Sequence, residues 1–512
     1  MLSPNYSIIL SFTILSLNIM KKKIITLSIA LLSLTTFSCK DDYLDTLPTA
    51  SVDAGAAFST TKNATAAVNG IYRAMVVRYV GSQGYFGYPA LMLLQDILGE
   101  DMVFSNSSNG WHFNEGRWTV HRSDTGLLSE MPYEMYYRLI GNANLAIANL
   151  PNAAGPQEDR DRLMGEALGI RGFAYFNLVQ LYGKRYDAAT KPNAQLGVPL
   201  VLEPTTKGLP RNTVEEVYAQ INKDLTEAAA LLPSGRTAKS HINKEVATGL
   251  LARVALVQQR WADAATYAAA ARKGFTVMSV AQYQDGFADV GNPEWMWGFD
   301  HIEDQTEYFG AFHSYIADNF NSSVNRQTPK VINSLLYNKI PDTDVRAKMW
   351  VKAPTAANSI VPPGGVRAPY IVQKFRLPGT PSTSTMGDVP YMRAAEMYLI
   401  EAEALAKQGK DVDAAKVLFD LVSKRDPAYK LSTKTGATLV DEIYFNRRIE
   451  LWGEGHRFLD LKRQNMPLDR NGANHNAAVA VIFDVPAGDP RWEFLIPRRE
   501  INSNAAIVQN PL

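Results

Sequence analysis

One cysteine, Cys39, occurs in 512 residues. A disulfide within the chain is therefore excluded, and so is any cysteine-based zinc site. The seven histidines show no HxxxH or HExxH spacing and no GxSxG elbow is present, so no metal, no catalytic residues and no cofactor are expected from motifs. Charge of one sign is also lacking. With 52 basic against 51 acidic residues, interspersed along the chain, there is no concentrated basic footprint of the kind nucleic acid requires. Long apolar runs are missing too. Two stretches, residues 6–19 and 24–38, are split by Lys21, Lys22 and Lys23, and neither reaches the roughly 20 apolar residues that span a bilayer.

What is present near the start has a clear chemistry. Three lysines, an apolar segment and the small residue Ser38 precede Cys39, the layout of an export signal. Residues 1–38 are read as that signal, with Met20 as the alternative true start. Thr36-Phe37-Ser38-Cys39 resembles a bacterial lipobox, which makes Cys39 the expected lipid attachment site and residues 39–50 a lipidated tether closed by Pro48. With 46% hydrophobic residues, the remainder can bury a large core without a covalent staple.

Helical periodicity dominates from about residue 54. Apolar and small residues recur with the 3.6 period through 63–79, 133–149, 160–182, 214–232, 244–273, 392–422 and 439–463, and convincing long strands are absent. Two of these segments read as helical hairpins. In the first, Ala247, Leu250, Leu251, Val254 and Ala255 are followed, after a break at Gln259-Arg260, by Trp261, Ala264, Ala265 and Ala268. In the second, Ala395, Tyr398, Leu399, Ala402 and Ala406 precede Gly409, and Ala415, Leu418, Phe419 and Val422 follow. Paired helices with small residues at the crossing are similar to tetratricopeptide units, so a stack of helix pairs is expected. The stretches 80–130 and 276–390 are rich in Gly, Pro, Asn and aromatics and read as long loops, whose length points to function.

A series of short motifs then carries a resemblance to a known family. They are Tyr43-Leu44-Asp45 with Pro48, Tyr136-Tyr137-Arg138 with Asn142-Ala143-Asn144, and Glu166-Ala167 with Arg171, Ala174-Tyr175-Phe176 and Leu181-Tyr182-Gly183. Pro210-Arg211 with Thr213 to Tyr218, Ala252-Arg253-Val254, and Tyr391-Met392-Arg393 with Ala395-Glu396 and Ala402-Glu403-Ala404 follow. Arg447-Arg448 with Glu450-Leu451 and Gly453 to Phe458, then Ile496-Pro497 with Arg499-Glu500-Ile501, close the chain. In this order they resemble the SusD/RagB outer-membrane nutrient-binding lipoproteins. The resemblance implies a mainly α fold, a tetratricopeptide-like helix-pair superhelix with a loop-rich variable lobe. It implies residues 51–275 and 276–512 as N- and C-terminal parts of one compact body, at the cell surface and anchored to the outer membrane by lipid. The implied partner is a SusC-like TonB-dependent transporter, and the implied ligand a glycan, with a peptide as the alternative. Lys40-Asp41-Asp42 also resembles the acidic export signal of Bacteroidota surface lipoproteins.

Candidate ligand residues lie in the aromatic loops, because flat rings stack on the apolar faces of sugars while Asn, Asp and Arg take the hydroxyls. One cluster is Asn109, Trp111, Phe113 and Trp118; the other is Trp295, Trp297, Asp300, Tyr308, Phe312 and Tyr315. Glu454, His456, Arg457 and Asp460 could suggest acid–base or metal chemistry. They are read instead as a scaffold motif, in which Gly453 ends a helix, Gly455 permits a tight bend, and the charges pair with Arg447, Arg448 and Glu450. Glu401 and Glu403, two apart on a helix and so not facing each other, are expected to be solvated or salt-bridged, and a glycosidase pair is the rejected alternative.

Overall fold

The computed structural model describes residues 54–512 except 237, 306, 308 and 380–385. The signal, Cys39 and the tether lie outside the described residues, as does Tyr308. Eleven helices of eight or more residues occur among those described: α1 Thr61–Ala74, α2 Gly87–Ile97, α3 Leu127–Asn149, α4 Gln157–Tyr182, α5 Val214–Leu231, α6 Lys244–Val257, α7 Trp261–Ala271, α8 Ala394–Lys407, α9 Asp411–Val422, α10 Gly436–Glu450 and α11 Arg457–Gln464.

Their ends follow local chemistry. Thr213 and Glu216 form a reciprocal capping box at the start of α5, and Asn243 accepts from the Val246 N–H at the start of α6, each satisfying backbone donors that the helix itself leaves free. Gly409, with φ +73°, turns the chain between α8 and α9 where a side chain would be strained.

From α3 to α8 each helix packs against the next, and α8 also meets α6, α9 and α10. This continuous stack is what the two hairpin patterns predict. Ala247, Leu250, Leu251, Val254 and Ala255 are all buried, as are Ala264, Ala265 and Ala268. Alanines at these crossings let the helix axes approach closely. The stack continues from α7 to α8 across the whole of residues 272–393, so that segment forms a lobe inserted between two neighbouring helices. The lobe carries strands β2 Trp295–Phe299, β3 Lys330–Ile332, β4 Trp350–Val351, β5 Ile371–Val372 and β6 Val389–Arg393. β1, Met102–Phe104, joins it from the other loop segment, giving a four-stranded sheet in the order β1-β3-β5-β4, and β2 pairs antiparallel with β6.

One reading needs correction and another resolves to one of its alternatives. The stretch 80–130 contains α2, all eleven residues of which are buried; a helix with no polar face has no amphipathic period to detect. Glu401 and Glu403, expected to be solvated or salt-bridged, are salt-bridged. They are 9% and 0% exposed, because α8 is packed on several sides, and they pair with Arg272 and Arg463 at 2.7 and 2.6 Å.

The motif charges hold this architecture together. Arg171 on α4 binds Asp224 on α5 and Asn144 on α3; Arg253 on α6 binds Glu396 on α8 at 2.6 Å. Arg447 on α10 binds Asp460 on α11 at 2.7 Å, which is the scaffold pairing expected of that motif. Arg448 and Arg457 instead reach Asp101 and Glu100 beyond α2. Gly453 and Gly455 both have positive φ, and a Cβ on Gly455 would lie 2.8 Å from the Met92 backbone in α2. The bend therefore serves close packing.

Candidate functional site

The segment 105–118 follows β1 and is pinned to residues 327–328 just before β3. The Asn109 N–H donates to Thr328 Oγ1 at 2.9 Å, Asn106 Nδ2 donates to the Gln327 carbonyl at 2.7 Å, and Thr328 Oγ1 donates to Asn106 Oδ1 at 3.1 Å. Within the loop the Trp111 N–H donates to Asn109 Oδ1 at 3.3 Å. These bonds fix the loop before any ligand arrives, which lowers the entropy cost of binding.

Trp111 stands at the surface, 37% exposed, with its ring edge-on to Tyr315 at 5.9 Å and to His112 at 6.1 Å between centroids. The two aromatic clusters therefore meet here. Beneath Trp111, His112 in a left-handed conformation (φ 65°) places Nδ1 3.7 Å from Glu115 Oε1, and the Tyr85 hydroxyl donates to the same oxygen. Burial alone would raise the Glu115 carboxyl, yet the His112 ring and the Tyr85 hydroxyl hold it below its ordinary value. Burial pushes the Tyr315 phenol up, with the Arg78 charge lowering it in part. Arg78 itself pairs with Glu307, so an ion pair bridges the region after α1 and the inserted lobe beside the aromatic group.

The other candidates occupy different places. Trp118 is buried, its indole N–H donating to the Leu98 carbonyl at 2.8 Å, and Phe113 packs on Phe104. Trp295 and Trp297 lie in β2, a strand whose five residues are all buried. Trp297 is 0% exposed, packs edge-on to Phe173 and Tyr391, and donates to the Ser240 carbonyl at 3.0 Å. Phe312 is buried against Phe375. None of these five rings offers a face to solvent, so the expectation that Trp297 is an exposed platform is corrected: it wedges the lobe onto α4. Asp300 is exposed, but it lines a separate cavity of about 250 Å³ with Arg73, His241 and Phe299. Of the two clusters, Trp111, Asn109 and Tyr315 come together. Arg78, Glu307 and Gln327 join them, and no spacing in the sequence signals those three, because each lies on a distant segment.

The chain matches a family described as "Starch-binding associating with outer membrane" over residues 42–256 and the SusD family over residues 312–512. A SusD-like protein of Formosa agariphila is 24% identical over 93% of this chain and 96% of its own length. A solved SusD-like carbohydrate binding protein from Bacteroides vulgatus is 27% identical with a TM-score of 0.75, covering 88% of this chain and 98% of that one. A SusD superfamily protein from Bacteroides thetaiotaomicron is 25% identical with a TM-score of 0.74, over 88% and 100%. With two family matches in register at either end and a shared helical stack throughout, the chain belongs to the SusD/RagB family.

Proposed function

We propose that this protein is a lipid-anchored outer-membrane binding protein that holds a nutrient glycan on Trp111 and delivers it to a TonB-dependent, SusC-like transporter. The observation that carries the reading is one exposed tryptophan, held by a prearranged loop and backed by Tyr315, with Asn109, Gln327 and the Arg78–Glu307 pair beside it. A flat ring for the apolar face of a sugar, ringed by amide and charged groups for its hydroxyls, is the arrangement a glycan platform needs. Membership of a starch-binding, outer-membrane family and likeness to a carbohydrate-binding relative support both the carbohydrate and the outer membrane. Binding without turnover is part of the proposal, since the carboxylates of the Gly453–Asp460 motif are committed to arginine and lysine partners.

The test is a binding isotherm with neutral oligosaccharides, from maltoheptaose to xylohexaose, on wild-type protein and Trp111→Ala, alongside a reducing-end assay on the same mixtures. Saturable binding that Trp111→Ala weakens, with no new reducing ends, is expected. Turnover of any probe overturns the binding-only reading, and capture of peptides in place of every oligosaccharide overturns the glycan. Co-purification of a SusC-like transporter from the native outer membrane tests the partner.

A further inference from the structure

Away from Trp111, the loop after α4, the end of α11 and the segment 488–493 enclose a cavity of about 390 Å³, within the range of small-molecule sites. Its apolar wall is Met466 and the edge of the Trp492 ring, with Leu461 packed behind them, and the indole N–H is already committed to the Pro486 carbonyl at 2.8 Å. Most of the charges around it are spent. Arg185 pairs with Asp187 at 2.7 Å and Asp489 with Arg491 at 2.9 Å. Three groups are left.

Glu493 is 6% exposed and lines the cavity, yet among the described residues its carboxylate takes no hydrogen bond and no ion pair. Its oxygens are not sealed off but keep contact with the cavity, where the Lys462 charge acts on them without a direct bond. Lys462, also buried, donates to the Gln180 and Gly183 carbonyls at 2.6 and 2.8 Å, capping the carboxyl end of α4 and leaving the third of its ammonium protons free. Lys184 stands exposed at the mouth. The cavity thus presents an acceptor without a donor, a donor without an acceptor, and an apolar wall.

We propose that this cavity is a second binding site, for a neutral polyhydroxylated molecule of mono- or disaccharide size. An anion meets the Glu493 charge and a cation meets Lys462 and Lys184, so either is disfavoured. A hydroxyl is donor and acceptor at once, and neighbouring hydroxyls on one ring satisfy Glu493 and Lys462 together, while the C–H face of that ring lies on Met466 and Trp492. The two sites share no residue, so a sugar short enough to enter this cavity does not depend on Trp111.

The experiment is saturation-transfer NMR and titration on the Trp111→Ala protein, which separates this site from the first. The probes are D-glucose, D-galactose, D-mannose, D-xylose, maltose and lactose at up to tens of millimolar, with L-alanine and inorganic phosphate as controls. At least one sugar is expected to bind, Glu493→Gln to raise its Kd by about tenfold or more at an unchanged melting temperature, and Thr190→Trp, a large ring on the exposed rim, to abolish binding. Thr190→Trp carries the test alone if Glu493→Gln does not fold. Absence of transfer to every sugar, binding of alanine or phosphate in their place, or a Kd unmoved by both substitutions overturns the proposal.

Discussion

Truncating Trp111 and Trp297 one at a time separates a platform from a wedge. Trp297 is wholly enclosed, with Phe173 and Tyr391 at 5.1 and 5.2 Å between centroids and its indole N–H on the Ser240 carbonyl. Trp297→Ala removes that ring from a packed core and leaves a cavity, which costs about 3–5 kcal/mol, and orphans the Ser240 carbonyl for about 1 kcal/mol more. Trp111 keeps more than a third of its surface in water and touches its neighbours edge-on, so Trp111→Ala costs the fold about 1 kcal/mol or less. Binding reverses the order. An exposed aromatic anchor is worth about 2 kcal/mol or more at a recognition surface, roughly a thirtyfold rise in Kd. Urea unfolding and an oligosaccharide isotherm on the same preparations give both numbers. Equal loss of stability in the two variants, or wild-type affinity in Trp111→Ala, refutes the assignment.

The remaining predictions concern the anchor, a buried pair and the response to acid. Cys39→Ala leaves a folded protein that no longer incorporates a palmitate analogue, and wild-type protein that is never labelled contradicts the lipid assignment. Glu403→Ala removes the two bonds at 2.6 and 2.8 Å that it makes to the Arg463 guanidinium, leaving that group its Asp460 partner at 2.8 Å, and costs about 2–3 kcal/mol; Glu401→Ala, whose Arg272 partner is partly exposed and also lies over the Tyr398 ring, costs less, and equal losses in urea unfolding contradict the difference in burial. His313 is fully buried, and burial lowers its pKa to about 3 against about 6.5 in the unfolded chain. Its stabilisation is therefore complete above about pH 6.5 and declines as the pH falls toward 3, by up to about 1.4 kcal/mol per pH unit. His313→Gln flattens that part of the stability profile, and an unchanged slope contradicts the neutral, buried ring.

Much of the stack was legible because its signal is local. α3, α5, α7, α9 and α10 each bury one stripe and wet another, and a stripe such as Ala264, Ala265 and Ala268 is readable without knowing what covers it. The limits have the same origin. α2 is covered all round, so its residues read as part of the long loop 80–130 rather than as a helix. Glu401 and Glu403 look like surface residues on α8 until α10 and α11 are in place. For the site, composition identified loops dense in aromatics, but a ring that stacks on a sugar and a ring that wedges two layers together have the same chemistry. Trp111 and Trp297 differ only in what the rest of the chain brings over them, and that is a long-range property.

The way the inserted lobe is fastened bears on how a loop platform can be held in place. Arg346, Lys374 and Arg393 from the lobe and its border, with Arg425 after α9, meet Glu294, Asp344, Glu450 and Glu454 in a buried cluster of four cations and four carboxylates. Glu450 alone holds Arg393 and Arg425 at 3.0 Å each. Burial alone would raise its carboxyl, yet Arg425, Arg393 and Arg346 hold it well below the usual range. Desolvating so many charges gives little net stability, and apolar residues of the same volume would pack as well. What the cluster supplies is directional. Hydrophobic faces can slide past one another at modest cost, whereas a guanidinium displaced from its carboxylate leaves two unpaired charges in a dry interior. Because the cluster joins Glu294 just before β2, Arg393 of β6 and Glu450 of α10, it fixes the register of the lobe against the stack. That register brings Tyr315 under Trp111.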